Sequence, residues 1–120
     1  MIFSSWERFK GSFFYAWSGL WRSLVTEQNL WIMLVVGILV MFLAWYYQLE
    51  FNKELILLLF VTSTIAAEIL NTLVEFTLDR FHPSNDLDVK IIKDMMAGFV
   101  LLWSIVSLVV GIIIFWPHLR

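Results

Sequence analysis

LWIMLVVGILVMFLAWYYQL, residues 30–49, decides the class of this protein. The stretch is twenty residues long and carries no charge. As a helix rising about 1.5 Å per residue it covers roughly 30 Å, the thickness of a bilayer's hydrocarbon core. Trp31 stands near one end, and Trp45, Tyr46 and Tyr47 near the other. These are the places where amphipathic rings meet the headgroups on the two sides. Two further runs follow. Residues 55–67 are uncharged, and the helical pattern continues through Glu68 and Glu75 to Asp79. Residues 95–116 are also uncharged, and Pro117 is expected to stop that helix. The sequence thus predicts three spans, at about 30–49, 55–78 and 94–116.

The whole composition agrees. Of 120 residues, 61% are hydrophobic and 15% charged, and the mean hydropathy is +0.83. A soluble domain is nearer 45–50% apolar and about 25% charged, and one this small has too little interior to hide the excess. A disordered chain is excluded on the same ground. A net charge of −2 leaves no basic footprint for nucleic acid. The absence of cysteine removes disulfides, thiolate metal sites and cysteine nucleophiles. Glu7, Arg8, Lys10 and Arg22 interrupt the N-terminal segment, which therefore does not resemble a cleaved signal peptide.

That segment has its own pattern. Trp6, Phe9, Phe13, Trp17, Leu20 and Leu24 recur at spacings of three and four, and Phe14 and Trp21 widen the stripe. Arg8, Ser12, Ser18, Arg22 and Ser23 fall elsewhere on the wheel. This is an amphipathic helix over about residues 3–26, better suited to the headgroup plane than to crossing the bilayer. Packing of its apolar face on the bundle is the alternative. Chain organisation is read as one domain, residues 1–120. Arg8, Lys10, Arg22, Arg80, Lys90 and Lys93 lie on one side of the predicted spans, Lys53 and Arg120 on the other. The positive-inside rule then puts the N-terminus and the second loop in the cytoplasm. Asn52 marks the first loop, and Pro83, Ser84 and Asn85 the second.

The informative residues are polar ones in the second span. Glu68, Asn71, Glu75 and Asp79 follow at helical spacing and fall within roughly 80° of arc. Glu68 and Glu75 are roughly 10 Å apart along the axis. A carboxylate at membrane depth is expensive unless paired, protonated or wet, so it marks function by default. Glu27 precedes the first span and Lys93-Asp94 open the third. Three segments can therefore deliver acidic groups to one place at the cytoplasmic surface. Glu27, Glu75, Asp79 and Asp94 offer hard oxygen donors of the kind magnesium takes. Lys90 and Lys93 can answer phosphate charge. Glu68, in the apolar zone, is a candidate general base. Two other readings use the same stripe: a structural hydrogen-bond network in a non-catalytic assembly protein, or a cation pathway. Ser63, Ala66, Ala67, Ser104, Ser107 and Gly111 are small residues at helix-contact spacing and read as packing faces. No glycine-rich nucleotide loop, G-x-S-x-G or H-E-x-x-H is present.

The run Glu68-Ile-Leu-Asn71-Thr-Leu-Val-Glu75, then Asp79, Lys93-Asp94 and Ala97-Gly98, resembles the small prokaryotic diacylglycerol kinase family, which includes the undecaprenol kinases. Tyr15, Gly19 and Glu27 fit that family's N-terminal pattern, so the resemblance covers nearly the whole chain. It implies a homotrimeric all-α membrane protein, with an N-terminal surface helix and three transmembrane helices per subunit. It implies active sites between subunits at the cytoplasmic surface of a bacterial inner membrane. The implied reaction transfers the γ-phosphoryl of ATP, with Mg2+, to the primary hydroxyl of a membrane lipid, diacylglycerol or undecaprenol. By the same resemblance Glu68 is the general base and Asn71 positions the reacting groups. Glu27 and Glu75 hold the metal. Arg8, Tyr15, Glu27, Glu75, Asp79, Lys93 and Asp94 bind the nucleotide. The chain departs from the family at Trp31, Leu73, Ile92, Met96 and Phe99, where smaller or basic residues are usual. Asn29 and the tail GIIIFWP lean towards the undecaprenol-kinase branch.

Overall fold

A computed structural model describes residues 5–84 and 86–119. Residues 3 and 4 of the predicted surface helix, Asn85 of the second loop and Arg120 of the tail lie outside these. The described residues form four helices: α1 (Ser5–Thr26), α2 (Gln28–Tyr46), α3 (Phe51–Phe81) and α4 (Leu87–Leu119). Helices α2, α3 and α4 are each long and apolar enough to cross a membrane. The molecule is flat, with extents of 56 × 46 × 21 Å.

Helix α1 buries none of its residues, and Trp6, Phe9, Phe13, Trp17 and Trp21 are all exposed. Such a ring-rich face is uncovered among the described residues, as expected of a helix that lies in the headgroup layer. One residue, Glu27, separates α1 from α2. Its N–H donates to the Ser23 carbonyl at 3.1 Å, while its extended backbone (φ −114°, ψ 113°) caps α2. The chain thus turns from the amphipathic helix into the first apolar span at Glu27.

The opposite turn is built differently. Gln48 has φ 52°. Its N–H reaches Trp45 O at 3.1 Å, and the Leu49 N–H reaches Ala44 O at 3.1 Å. This is a Schellman cap with glutamine at the left-handed position that glycine usually holds. Leu49 then folds back into an apolar cluster with Ala44, Leu57 and Ile114, edged by Tyr47 and Phe115. Because the cap closes in so few residues, Asn52 and Lys53 belong to the first turn of α3 and not to the loop predicted for them. Burial beyond the apolar runs also lengthens α4: Asp86 Oδ1 accepts from the Val89 N–H at 3.0 Å, and Val89 is buried. Lys90 and Lys93 are therefore helical, not in the loop. Pro117 lies inside α4, which continues to Leu119 instead of stopping. Pro117 has no N–H to give the carbonyl of Ile113, so the last turn of α4 runs on with one hydrogen bond fewer.

Helices pack through small residues and hydroxyls, as expected where lipid competes for apolar contacts. A Cβ placed on Gly37 of α2 would lie 2.6 Å from Val61 Cγ1 of α3, so glycine sets that close approach. Between α3 and α4, Trp103 Nε1 donates to Ser63 Oγ at 2.8 Å, and the Thr64 and Ser107 hydroxyls meet at 3.0 Å. Phe60 stacks on Trp103 with centroids 5.5 Å apart. Ser63 and Ser107 lie in these contacts as predicted, Ala67 is buried and Ser104 half-buried, whereas Ala66 is exposed and a Cβ on Gly111 would meet nothing within 4 Å.

Candidate functional site

Glu68 is buried, with 6% of its surface exposed. It sits about 26 Å along α3 from Phe51. The amides of Asn29, on the first turn of α2, and Asn71, on α3, and the carboxylates of Glu27 and Glu75 are the polar neighbours of its carboxyl group. Nearness to Asn29 puts Glu68 level with the start of α2, at one end of that apolar helix rather than midway along it. Leu30, fully buried beside Asn29, fastens this end of α2. The structure thus brings Glu68, Asn71 and Glu75 of α3 together with Asn29 of α2 and Glu27 at the corner between α1 and α2.

Beyond Glu68 the last 13 residues of α3 run on for about 20 Å. They are joined by the N-terminal part of α4 in an antiparallel pair that projects past the start of α2. This pair carries the other predicted site residues. Lys93 Nζ meets Asp79 Oδ1 at 2.6 Å across the two helices. Lys90 Nζ meets Asp94 Oδ2 at 2.6 Å along α4. The side chain of Lys93 is only 27% exposed, against 68% for Lys90, so Lys93 is the lysine held between helices. The exposed Lys90–Asp94 pair contributes at most about 1 kcal/mol, so Lys90 exchanges partners readily.

Asn71 Oδ1 is buried and has no hydrogen-bond partner. A buried acceptor left open costs free energy, and beside a carboxylate it is suited to a donor or a cation that arrives with the substrate. Among the described residues no group of three or more Asp, Glu or His side chains is close enough to hold a metal ion. Two carboxylates and an open amide oxygen still fit magnesium, which is commonly bound through one or two carboxylates with substrate phosphates completing its shell.

Two predicted residues stay apart. By the helical rise, Arg8 lies roughly 28 Å and Tyr15 roughly 18 Å from Glu27 along α1. Both are exposed. Asn29, in contrast, faces Glu68 although its spacing suggested no site role. Only its position two residues after Glu27 on an entering helix pointed that way. Leu73 and Phe99, at positions usually smaller in the resembled family, are exposed on the projecting pair.

The sequence matches the family of prokaryotic diacylglycerol kinases over residues 14–115. It is 30% identical over 113 residues to an undecaprenol kinase of Bacillus subtilis, covering 94% of this chain and 92% of that protein. It is 33% identical over 109 residues to a diacylglycerol kinase of Synechocystis, covering 90% of this chain and 62% of the longer cyanobacterial protein.

Proposed function

The chain belongs to the prokaryotic diacylglycerol kinase family, and from that membership we propose that it transfers the γ-phosphoryl of ATP to the primary hydroxyl of a membrane lipid. The observation that carries this reading is the buried Glu68 at the level where α2 enters the membrane, beside the open Asn71 oxygen. A lipid presents its hydroxyl at this depth while its chains stay in the bilayer. Undecaprenol and diacylglycerol both qualify. The undecaprenol kinase aligned over nearly all of both chains makes undecaprenol the first acceptor to test.

In this reading Glu68 accepts the hydroxyl proton as the lipid oxygen attacks the γ-phosphorus. The bond from that phosphorus to the β–γ bridging oxygen breaks, and its electron pair leaves with ADP. Asn71 and Asn29 hold the carboxylate of Glu68 in place. Glu27 and Glu75 are the carboxylates that would hold magnesium, which when bound draws charge from the ATP phosphates. Lys93 meets phosphate from the α4 side, and Asp94 lies next to it on the nucleotide side. Positioning and charge neutralisation supply most of catalysis in phosphoryl transfer, so no dedicated nucleotide fold is needed.

Arg8 and Tyr15 are too far from their own site and serve a neighbouring subunit's. A homotrimer also supplies the cover that Leu73, Phe76 and Met95 lack on the projecting pair of a single chain. Lysine and arginine counts support a cytoplasmic location for this end. The 13 uncharged residues 55–67 leave about 20 Å of α3 without a carboxylate, which disfavours a cation pathway. The test is ADP release in mixed micelles with Mg-ATP and undecaprenol, diacylglycerol or no lipid. Lipid-dependent release supports the reading, and the faster lipid assigns the acceptor. No release with either lipid, from folded protein, refutes it.

A further inference from the structure

The 2.6 Å pair between Lys93 and Asp79 connects two helices at the mouth of the site. The family resemblance would make Asp79 a nucleotide ligand. We infer instead that Asp79 is a positioning residue, which aims the Lys93 ammonium at the nucleotide phosphates. This inference rests on the lipid-kinase reading above and assigns a role within it.

Three observations converge. First, Asp79 is itself an anion and repels phosphate unless a cation stands between them. Its partner in the structure is that cation. Second, the lysines on the first turns of α4 are treated differently. Lys90 is paired with Asp94 four residues along its own helix and remains exposed. Lys93 is drawn against α3 and loses most of its exposure. Third, Asp79 lies one helical turn beyond Glu75 on the same face of α3. Lys93 is thereby held about 6 Å along the axis from the carboxylate proposed to hold magnesium. A polyphosphate chain laid along this face meets the metal site and the ammonium in succession.

A lysine has a flexible four-carbon stem and three donors that rotate freely. Held by Asp79, it needs little ordering when phosphate arrives, and an ammonium can bond carboxylate and phosphate together. Released, it must be ordered by the nucleotide alone. Immobilising one long side chain on binding costs a factor of about 2 to 12 in affinity. Phosphate contacts present before and during transfer change KM and leave kcat nearly alone.

The experiment is a double-mutant cycle on the full chain in mixed micelles, with Mg-ATP varied at saturating lipid. Asp79→Asn is expected to raise KM for Mg-ATP about 2- to 12-fold, with kcat changed by less than about twofold. Asp79→Glu keeps the charge and is expected to recover part of the loss. In a Lys93→Ala background, Asp79→Asn is expected to change nothing further, since its effect runs through Lys93. The inference is overturned if Asp79→Asn costs as much without Lys93 as with it, which would make Asp79 a direct ligand. It is equally overturned if the loss falls on kcat. A wild type that consumes no ATP with any lipid would overturn the lipid-kinase reading and the inference with it. Wild-type activity with either of the other patterns overturns the inference alone.

Discussion

Gly37 is the sharpest test of how the three spans are packed. Replacing it with alanine adds a Cβ that would fall 2.6 Å from Val61 Cγ1, where carbon atoms prefer about 3.5–4.0 Å. About 1 Å must be found. Val61 is β-branched and stiff in a helix, so it moves off its rotamer or the helices separate. Overpacking of this kind costs about 1–3 kcal/mol. Against it stands the helical preference for alanine over glycine, about 1 kcal/mol. The net effect is a loss of about 0–2 kcal/mol. Gly111→Ala is the control, because a Cβ there meets nothing within 4 Å and keeps the gain of about 1 kcal/mol. Reversible unfolding of both variants in mixed micelles measures the difference, expected at about 1–3 kcal/mol in favour of Gly111→Ala. Placing Gly37→Ala in a Val61→Ala background should turn its loss into a gain. Equal stability of the two glycine variants would refute the close approach of α2 to α3.

The same unfolding measurement tests the caps and the glue. Gln48→Gly is expected to stabilise by about 1 kcal/mol, since a side chain at a left-handed position is strained; an unchanged midpoint would remove the Schellman cap from the account. Asp86→Ala is expected to cost about 1 kcal/mol and to speed hydrogen exchange at the Val89 amide, which Asp86 caps at 3.0 Å. Trp103→Phe removes the donor to Ser63 and should cost about 0.5–1 kcal/mol, the usual worth of such a bond between membrane helices.

The three spans were legible because uncharged runs of this length have few alternatives to crossing a bilayer. Their ends were less so. Asn52, Lys53 and Lys90 are polar and fall outside the predicted spans, yet they continue helices. Part of what holds them there is local, Leu49 folding back on Ala44 and the Asp86 cap, and part is a contact between helices, the Asp79–Lys93 pair. Gln48 gave no signal, because the left-handed cap is usually announced by glycine. The stripe of Glu68, Asn71, Glu75 and Asp79 was readable from spacing on one helix, whereas its depth was not. That depth depends on Asn29 and the buried Leu30 of another helix. Arg8 and Tyr15 entered through family likeness alone, and no contact within one chain brings them to the site.

The most direct measurement is transfer of labelled γ-phosphate from Mg-ATP to undecaprenol or diacylglycerol, comparing wild-type protein with Glu68→Gln. The substitution keeps the size and one acceptor oxygen of the side chain but removes its ability to take a proton. The account predicts label in the lipid from the wild type and a fall in kcat of about 10²- to 10⁴-fold in the variant, the usual worth of a positioned general base. KM for Mg-ATP should stay within a few fold. A folded Glu68→Gln protein that labels lipid at close to the wild-type rate would contradict the assignment of Glu68 as the base. Absence of label from the wild type itself would contradict lipid phosphorylation.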